Sequence, residues 1–361
     1  MAQAPQDWKL YTGSRKPHDG ITRLPPAPGW RPAPAPVLQE RQLLDWNKPK
    51  AWPAGAQRGA QFLASPAIVE MVNAALYLRR PLLVTGRPGS GKSSLAYAVA
   101  HELALGAPLC WSVNSASTLR DALYRYDAIG RLQDERAGAG SAGAGAGADP
   151  QAIATHLGRY IRLGPLGTAL LPTTRPRVLL IDEVDKSDLD LPNDLLNVFE
   201  EGEFEVPELR RLQYTGAVIV FTDDKDGQPT AEITAGLVRC AQFPLMVLTS
   251  NGERDFPAPF LRRCLRLDMP NPTGNTLADD NAGGQRLKEI IELQFSKAEI
   301  GKAQALIDQF LAQVAEGKLA NVATDQLLNA VHMVVHGRLG EDDEAKRVLA
   351  ALKQELVGPR G

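Results

Sequence analysis

Three cysteines in 361 residues, Cys110, Cys240 and Cys264, are too few and too far apart to build a disulfide framework or a paired CxxC metal site. Aromatic residues are scarce at 6%. No apolar run approaches the roughly eighteen residues that a membrane-spanning helix needs. The amino-terminal stretch MAQAPQDWKLYTGSRKPH lacks the apolar centre of a secretory signal. Neither sign of charge is in excess, since 40 Lys and Arg against 42 Asp and Glu leave −2. That balance gives no global attraction to nucleic acid or to an anionic membrane. Together these absences predict a protein of the reducing cytoplasm with no membrane partner. What is present, 44% hydrophobic and 23% charged residues, is ordinary globular composition. The chain is long enough for two domains and an arm.

Organisation changes along the chain. Residues 1–60 hold ten of the 27 prolines and four of the five tryptophans, Trp8, Trp30, Trp46 and Trp52. Proline fixes φ and removes a donor, so PPAPGWRPAPAP is neither an interior helix nor a central strand. The segment reads as an extended arm whose Trp side chains need cover, from its own body or from a neighbour. A helical pattern begins at Pro66 behind a Ser65 cap and aligns Ile68, Val72, Ala75 and Leu76. The run AGAGSAGAGAGA at 137–148 has no side chain able to build a core and reads as a flexible insertion. From about Asn275 four amphipathic segments follow without a strand between them: QRLKEIIELQF, AQALIDQFLAQVA, DQLLNAVHMVV and DEAKRVLAALKQEL. The expected division is an arm over 1–60, an α/β body over 61–273 and an all-helical domain over 274–361.

The chemistry begins at GRPGSGKS, which follows the strand-like PLLVTG and opens the helical SSLAYAVAHEL. This is the GxxxxGK[ST] phosphate loop in the context it requires. Its backbone amides and the dipole of the following helix favour phosphate oxygens. Gly86, Arg87, Pro88, Gly89, Ser90, Gly91, Lys92, Ser93 and Ser94 are therefore the nucleotide-binding candidates. Lys92 would reach the β- and γ-phosphates and the Ser93 hydroxyl would ligate Mg²⁺. A second apolar run, RVLLIDEVD, reads as a parallel strand buried on both faces. It delivers Asp182 at the end where ligands bind in open α/β sheets. Asp182 is the second metal candidate, and Glu183 the group that would polarise a water. A third run, FPLMVLTSN, ends at Asn251, an amide placed to meet the γ-phosphate or that water. Arg254, Arg262 and Arg263 follow. An arginine reaching a neighbour's γ-phosphate is one reading of them, and an ion-paired helix end is the other.

Three strand tips in this order ahead of a helical tail resemble the AAA+ ATPases, and within them the MoxR-like group with an insert in its second helix. The resemblance rests on GRPGSGKS (86–93), RLGPLGTAL (162–170), VLLIDEVDKS (178–187), LLNVFEEGEFEV (195–206) and TSNGERDFPAPFLRRC (249–264). It implies a P-loop NTPase core, with a parallel five-stranded sheet flanked by helices, followed by a small helical lid. It also implies Walker A at 86–93, Walker B at Asp182 and Glu183, sensor 1 at Asn251, and an arginine finger at Arg263 with Arg262 as its backup. ATP and Mg²⁺ are the implied ligands. The implied activity is ATP hydrolysis at the subunit seams of a ring, most often a hexamer, that remodels a protein client. A von Willebrand A domain protein is the frequent partner. The DWKLYTGSRKPHDGITRLPPAPGWR stretch is similar to the arm of MoxR-like ATPases of bacterial conflict systems.

The match also departs. Gln326 stands in ATDQLLNAV where the family places its sensor 2 arginine, and Arg338 lies more than two helical turns on. Two other classes compete with the remodelling reading. One is a nucleic-acid motor of the McrB-like kind, disfavoured by the neutral charge. The other is a nucleotide-loaded switch or scaffold with little turnover. Four polar clusters read as structural. HMVVH at 332–336 lacks the Glu of a zinc helix. DDKD at 223–226 and EDDE at 341–344 read as solvated acidic faces. DKSDLD after Walker B reads as a helix cap and inter-subunit surface rather than as a second metal site.

Overall fold

The computed structural model describes residues 8–32, 53–136, 149–224, 229–270, 282–315 and 324–336. The chain divides into two compact units. Met1–Ala60, Ala64–Val84 and Ser93–Leu267 form the first, and Gln61–Leu63, Thr85–Lys92 and Asp268–Gly361 the second.

The first unit is organised around a five-stranded sheet. Its strands run, edge to edge, Leu265–Asp268, Leu82–Thr85, Leu245–Ser250, Val178–Asp182 and Leu109–Ser112. Val178–Asp182 pairs in parallel with both of its neighbours, Leu179 facing Met246 on one side and Leu109 on the other. The central strands read as continuous apolar runs because they are covered on both faces. All six residues of Leu245–Ser250 are buried, as are Val178 to Ile181. The five strands and their flanking helices form the α/β core that the motifs imply. A second sheet of six short strands was not expected from the sequence. In it Tyr124–Tyr126, Ile161–Leu163, Ala217–Phe221, Thr230–Thr234, Leu237–Arg239 and Glu203–Glu205 lie side by side. One hydrophobic core joins the two layers, with Leu179 and Ile181 of the first sheet and Val218, Val220 and Ile233 of the second in a single cluster.

The helix Pro66–Leu78 starts as read. The Ser65 hydroxyl accepts from the Ile68 amide, proline takes the first turn, and Arg79 ends the helix in the left-handed region at φ 54°. Ile68, Val72, Ala75 and Leu76 are buried. Asn73 is buried among them, because it is the seat of the amino-terminal segment. Its Oδ1 accepts from the Leu10 and Tyr11 amides at 2.7 and 3.0 Å, and its Nδ2 donates to the Tyr11 carbonyl at 2.7 Å. Leu10, Tyr11 and Ile21 are buried with it. Residues 8–32 are thus an irregular strap on their own body, with a 3₁₀ turn at Gly20–Arg23 and a further turn at Gly29–Trp30. Trp8 and Trp30 remain 46% and 79% exposed, so the apolar anchors of the strap are not its tryptophans. Pro53–Ala60 corrects the reading of the arm as extended. It is a helix, since Pro53 sits at its first position, where the missing amide costs nothing.

In the second unit Ala282–Gln294, Lys297–Ala315 and Thr324–Val335 are helices. They bury Leu287, Ile291, Ile307, Phe310, Leu327 and Val331 in a core of their own. Full burial of such a side chain is worth about 1.5–3 kcal/mol. Gln326 lies in the third of these helices. The Ala/Gly run at 137–148, Trp46, Trp52, Arg338, EDDE and the segment DEAKRVLAALKQEL fall outside the described residues.

Candidate functional site

The phosphate loop carries three glycines at positive φ: Gly86 at 145°, Gly89 at 72° and Gly91 at 88°. Gly86 also has no room for a side chain. A Cβ there would stand 3.0 Å from Met269 Cβ and 3.2 Å from Ser90 Oγ. Lys92 folds back over the loop and donates from Nζ to the carbonyls of Gly86 and Arg87 at 2.7 and 2.8 Å. Ser90 Oγ is buried without a hydrogen-bond partner. A tight left-handed turn with an ammonium held across it and an orphaned hydroxyl fits an anionic ligand.

Ser93 belongs to the first unit. Its hydroxyl donates to Asp182 Oδ1 at 2.8 Å, and Thr249 Oγ1 donates to the same oxygen at 2.5 Å. Thr249 Oγ1 in turn accepts the Glu183 amide at 2.9 Å. The donor set at Asp182 is all oxygen, which suits a hard divalent cation. Among the described residues no three His, Cys, Asp or Glu side chains gather into a metal cluster. A cation here would be held by Ser93 and Asp182, with water and ligand oxygens completing its shell, as Mg²⁺ prefers.

Glu183 is in the left-handed region, φ 60° and ψ 48°. That conformation costs a residue with a side chain about 1–3 kcal/mol and is tolerated where surrounding contacts fix it. Its carboxylate is half-exposed and pairs with Lys186 Nζ at 2.9 Å. The hydrogen bond to Glu183 raises the Lys186 pKa above its ordinary value. Asp185, two residues on, is 3% exposed. Its Oδ2 accepts the amides of Asn251 at 2.8 Å and Glu253 at 3.3 Å. Asn251 therefore follows its strand as expected, with its backbone tied to the turn after Asp182. Arg254 donates from Nη1 to the Ser187 carbonyl at 2.7 Å across the same two turns.

The arginine pair sits at the end of the helix Ala258–Arg263. Arg262 is exposed. Arg263 is ion-paired within the chain, its Nε 2.5 Å from Glu200 Oε1 and its Nη1 3.2 Å from the Pro259 carbonyl. Arg80 donates to the carbonyls of Arg262, Arg263 and Cys264 and caps the helix. Ser94 accepts from Arg58 Nε at 2.9 Å, and that guanidinium lies 4.6 Å over the Tyr97 ring. Burial, with a hydrogen bond to Cys110, pushes the Tyr97 hydroxyl up to about 12.

Thr249 and Arg58 escaped the sequence reading, and Asp185 and Lys186 entered it only within DKSDLD. Two clusters read as surface are corrected. Asp185, inside DKSDLD, is buried because it serves the backbone of the Asn251 turn. Asp224, inside DDKD, is 4% exposed because it pairs with the buried Arg177 at 2.7 Å. His332 and His336 stack edge to face, ring centroids 4.2 Å apart.

The five-stranded sheet flanked by helices matches an AAA+ P-loop NTPase fold. Residues 81–239 match the family model described as the AAA domain of the dynein-related subfamily. Among curated proteins none matches the chain. Solved structures of NtrX from Brucella abortus are among those to which the chain is similar. For the complex with ADP the TM-score is 0.41 at 14% identity, over 79% of this chain and 54% of that one. For the complex with ATP it is 0.39 at 15% identity, over 82% and 55%. The chain thus spans just over half the length of these NtrX chains. Among the described residues no helix is long and apolar enough to cross a membrane.

Proposed function

We propose that this chain is an ATPase of the MoxR-like kind, which hydrolyses ATP at the seams of a homo-oligomeric ring to remodel or activate a protein client. The observation that carries the reading is the hydrogen bond from Ser93 to Asp182, 89 residues apart in sequence. It brings the helix that follows the phosphate loop against the acidic tip of the strand Val178–Asp182, the pairing that nucleoside triphosphate hydrolysis requires. Lys92 would neutralise the β- and γ-phosphates, and Asn251 would orient the attacking water. Glu183 would take that water's proton as it attacks the γ-phosphorus in line with the departing diphosphate. When bound, Mg²⁺ supplies charge neutralisation between the phosphates. Arg263, released from Glu200, would serve the site of the adjacent subunit. A von Willebrand A domain protein is the client class first to be tried, and a bacterial defence role follows from the arm.

The testing experiment is Glu183→Gln. It should retain bound ATP while phosphate release falls by about 100-fold or more, the range of a lost general base. Unchanged turnover would remove Glu183 from this role, and absence of turnover in the wild type would remove the reading. One observation favours a slower, switch-like mode: Glu183 is paired with Lys186 in this state. Turnover measured with and without the client separates the two.

A further inference from the structure

We infer that Asp185 is a positioning residue for the hydrolytic step, a buried carboxylate that sets the Asn251 turn in register with Glu183; the inference rests on the function proposed above. Asp185 belongs to the 3₁₀ turn Val184–Lys186, whose entry residue is Glu183. Asn251 belongs to a different strand end, 66 residues later. The two turns could slide relative to each other by a fraction of an ångström without unfolding either strand. Such a shift would change where Asn251 and Glu183 meet the water. The structure prevents it with contacts at three levels. Thr249 Oγ1 takes the Glu183 amide, Asp185 Oδ2 takes the amides of Asn251 and Glu253, and Arg254 takes the Ser187 carbonyl.

Asp185 is the central one of these, and it is buried. One carboxylate oxygen holds two backbone donors that would otherwise be unsatisfied at a strand end. The other, Oδ1, is buried without a protein partner. A buried carboxylate with a vacant oxygen is costly to keep for stability alone, since an asparagine would serve the same two amides with less desolvation. A charge-assisted acceptor is, however, about twice as strong as a neutral one, and holds its donors in a narrower range of geometry. The carboxylate therefore contributes alignment at the expense of folding energy. Alignment of reacting groups within a few tenths of an ångström is where large factors in rate originate.

The test uses the full chain. In Asp185→Ala, kcat should fall about 10- to 100-fold, the loss of a hydrogen bond to a charged group expressed at the transition state. The KM for ATP should stay within about threefold, because phosphate binding belongs to other residues. Asp185→Asn keeps the acceptor and should recover kcat to within about fivefold of wild type. A merely structural role would lower folded fraction and ATP binding together, and would not split kcat from KM. The geometry is checked separately by amide hydrogen exchange on the nucleotide-free protein. The Asn251 and Glu253 amides should be protected in the wild type and in Asp185→Asn, and should exchange at least about tenfold faster in Asp185→Ala. Unprotected amides in the wild type would overturn the inference even if the alanine variant does not fold. Wild-type kcat in a folded Asp185→Ala would overturn it too. Protection in a wild type that hydrolyses no ATP would sink the proposed function and, with it, the catalytic role of Asp185, while leaving the clamp itself in place.

Discussion

Ser93 and Thr249 converge on a single oxygen, Oδ1 of Asp182, at 2.8 and 2.5 Å. The two hydroxyls come from the helix after the glycine loop and from the neighbouring strand, and between them they saturate one side of the carboxylate. A cation entering here would meet an oxygen already oriented by Thr249, in the manner of metal ligands whose partners fix their direction. Ser93→Ala should lower the affinity for MgATP by about 10-fold or more, and Thr249→Val by a smaller factor through loss of orientation. Titrating nucleotide with Mg²⁺ and with EDTA separates the metal's share. Equal loss in both conditions would place these residues on the phosphate rather than on the ion.

Lys186 holds the Glu183 carboxylate at 2.9 Å on the surface of the molecule. Exposed pairs of this kind exchange readily with water. Lys186→Met should free the carboxylate and raise the unstimulated kcat by about 2- to 5-fold, the range available from an exposed ion pair, with KM for ATP unchanged. A fall in kcat would instead assign the ammonium to the reaction itself.

Arg263 is occupied by Glu200 within its own chain. If it serves a neighbour, subunits carrying Arg263→Ala mixed with subunits carrying Lys92→Ala should regain part of the activity that each lacks. Some seams would then unite an intact phosphate loop with an intact arginine. Glu200→Gln should increase turnover in the assembled state by loosening the competing contact. Mixed assemblies with no recovery would argue that Arg263 only closes the end of its helix.

The thiols differ in a way that pH reports. Burial pushes Cys240 up to about 11 and Cys264 up to about 12, whereas an unfolded thiol titrates near about 8.5. A folded-state value above the unfolded one favours the protonated native form. This contribution is complete below about pH 8.5 and is lost as pH rises through the folded-state values. The urea midpoint should therefore drop above that pH, and drop less in a Cys240→Ala, Cys264→Ala variant. At neutral pH alkylation of the native protein should modify Cys110, which is exposed, ahead of the two buried thiols. Equal rates at all three would contradict the burial.

The parts of this molecule most legible in its sequence are those with a short-range signature. Continuous apolar runs announced Val178 to Ile181 and Leu245 to Leu248, and the glycine spacing announced the loop at Gly86 to Gly91. Ser65 with Pro66 announced a helix start. The six-stranded sheet was not legible because its strands are three to five residues long, below the length at which alternation becomes a pattern. The role of Asn73 was not legible, since nothing local shows that its partners lie more than sixty residues away. Asp185 and Asp224 sat among other acids, and composition alone assigns such clusters to solvent. Their partners, the Asn251 amide and Arg177, are set by the packing of separate elements.

Glu102 closes the helix that begins at Lys92, and it is 1% exposed. Its carboxylate collects the amides of Thr12, Gly13 and Arg15, the Thr12 hydroxyl and the His18 ring. A negative charge at the carboxyl end of a helix is unfavourable on its own, so these donors are what make the residue tolerable there. Recombinant fragments cut to the 81–239 stretch would leave that acid without these donors, and would pull on the very helix whose other end follows the glycine loop. The smallest piece worth purifying for enzymology therefore begins upstream of Thr12.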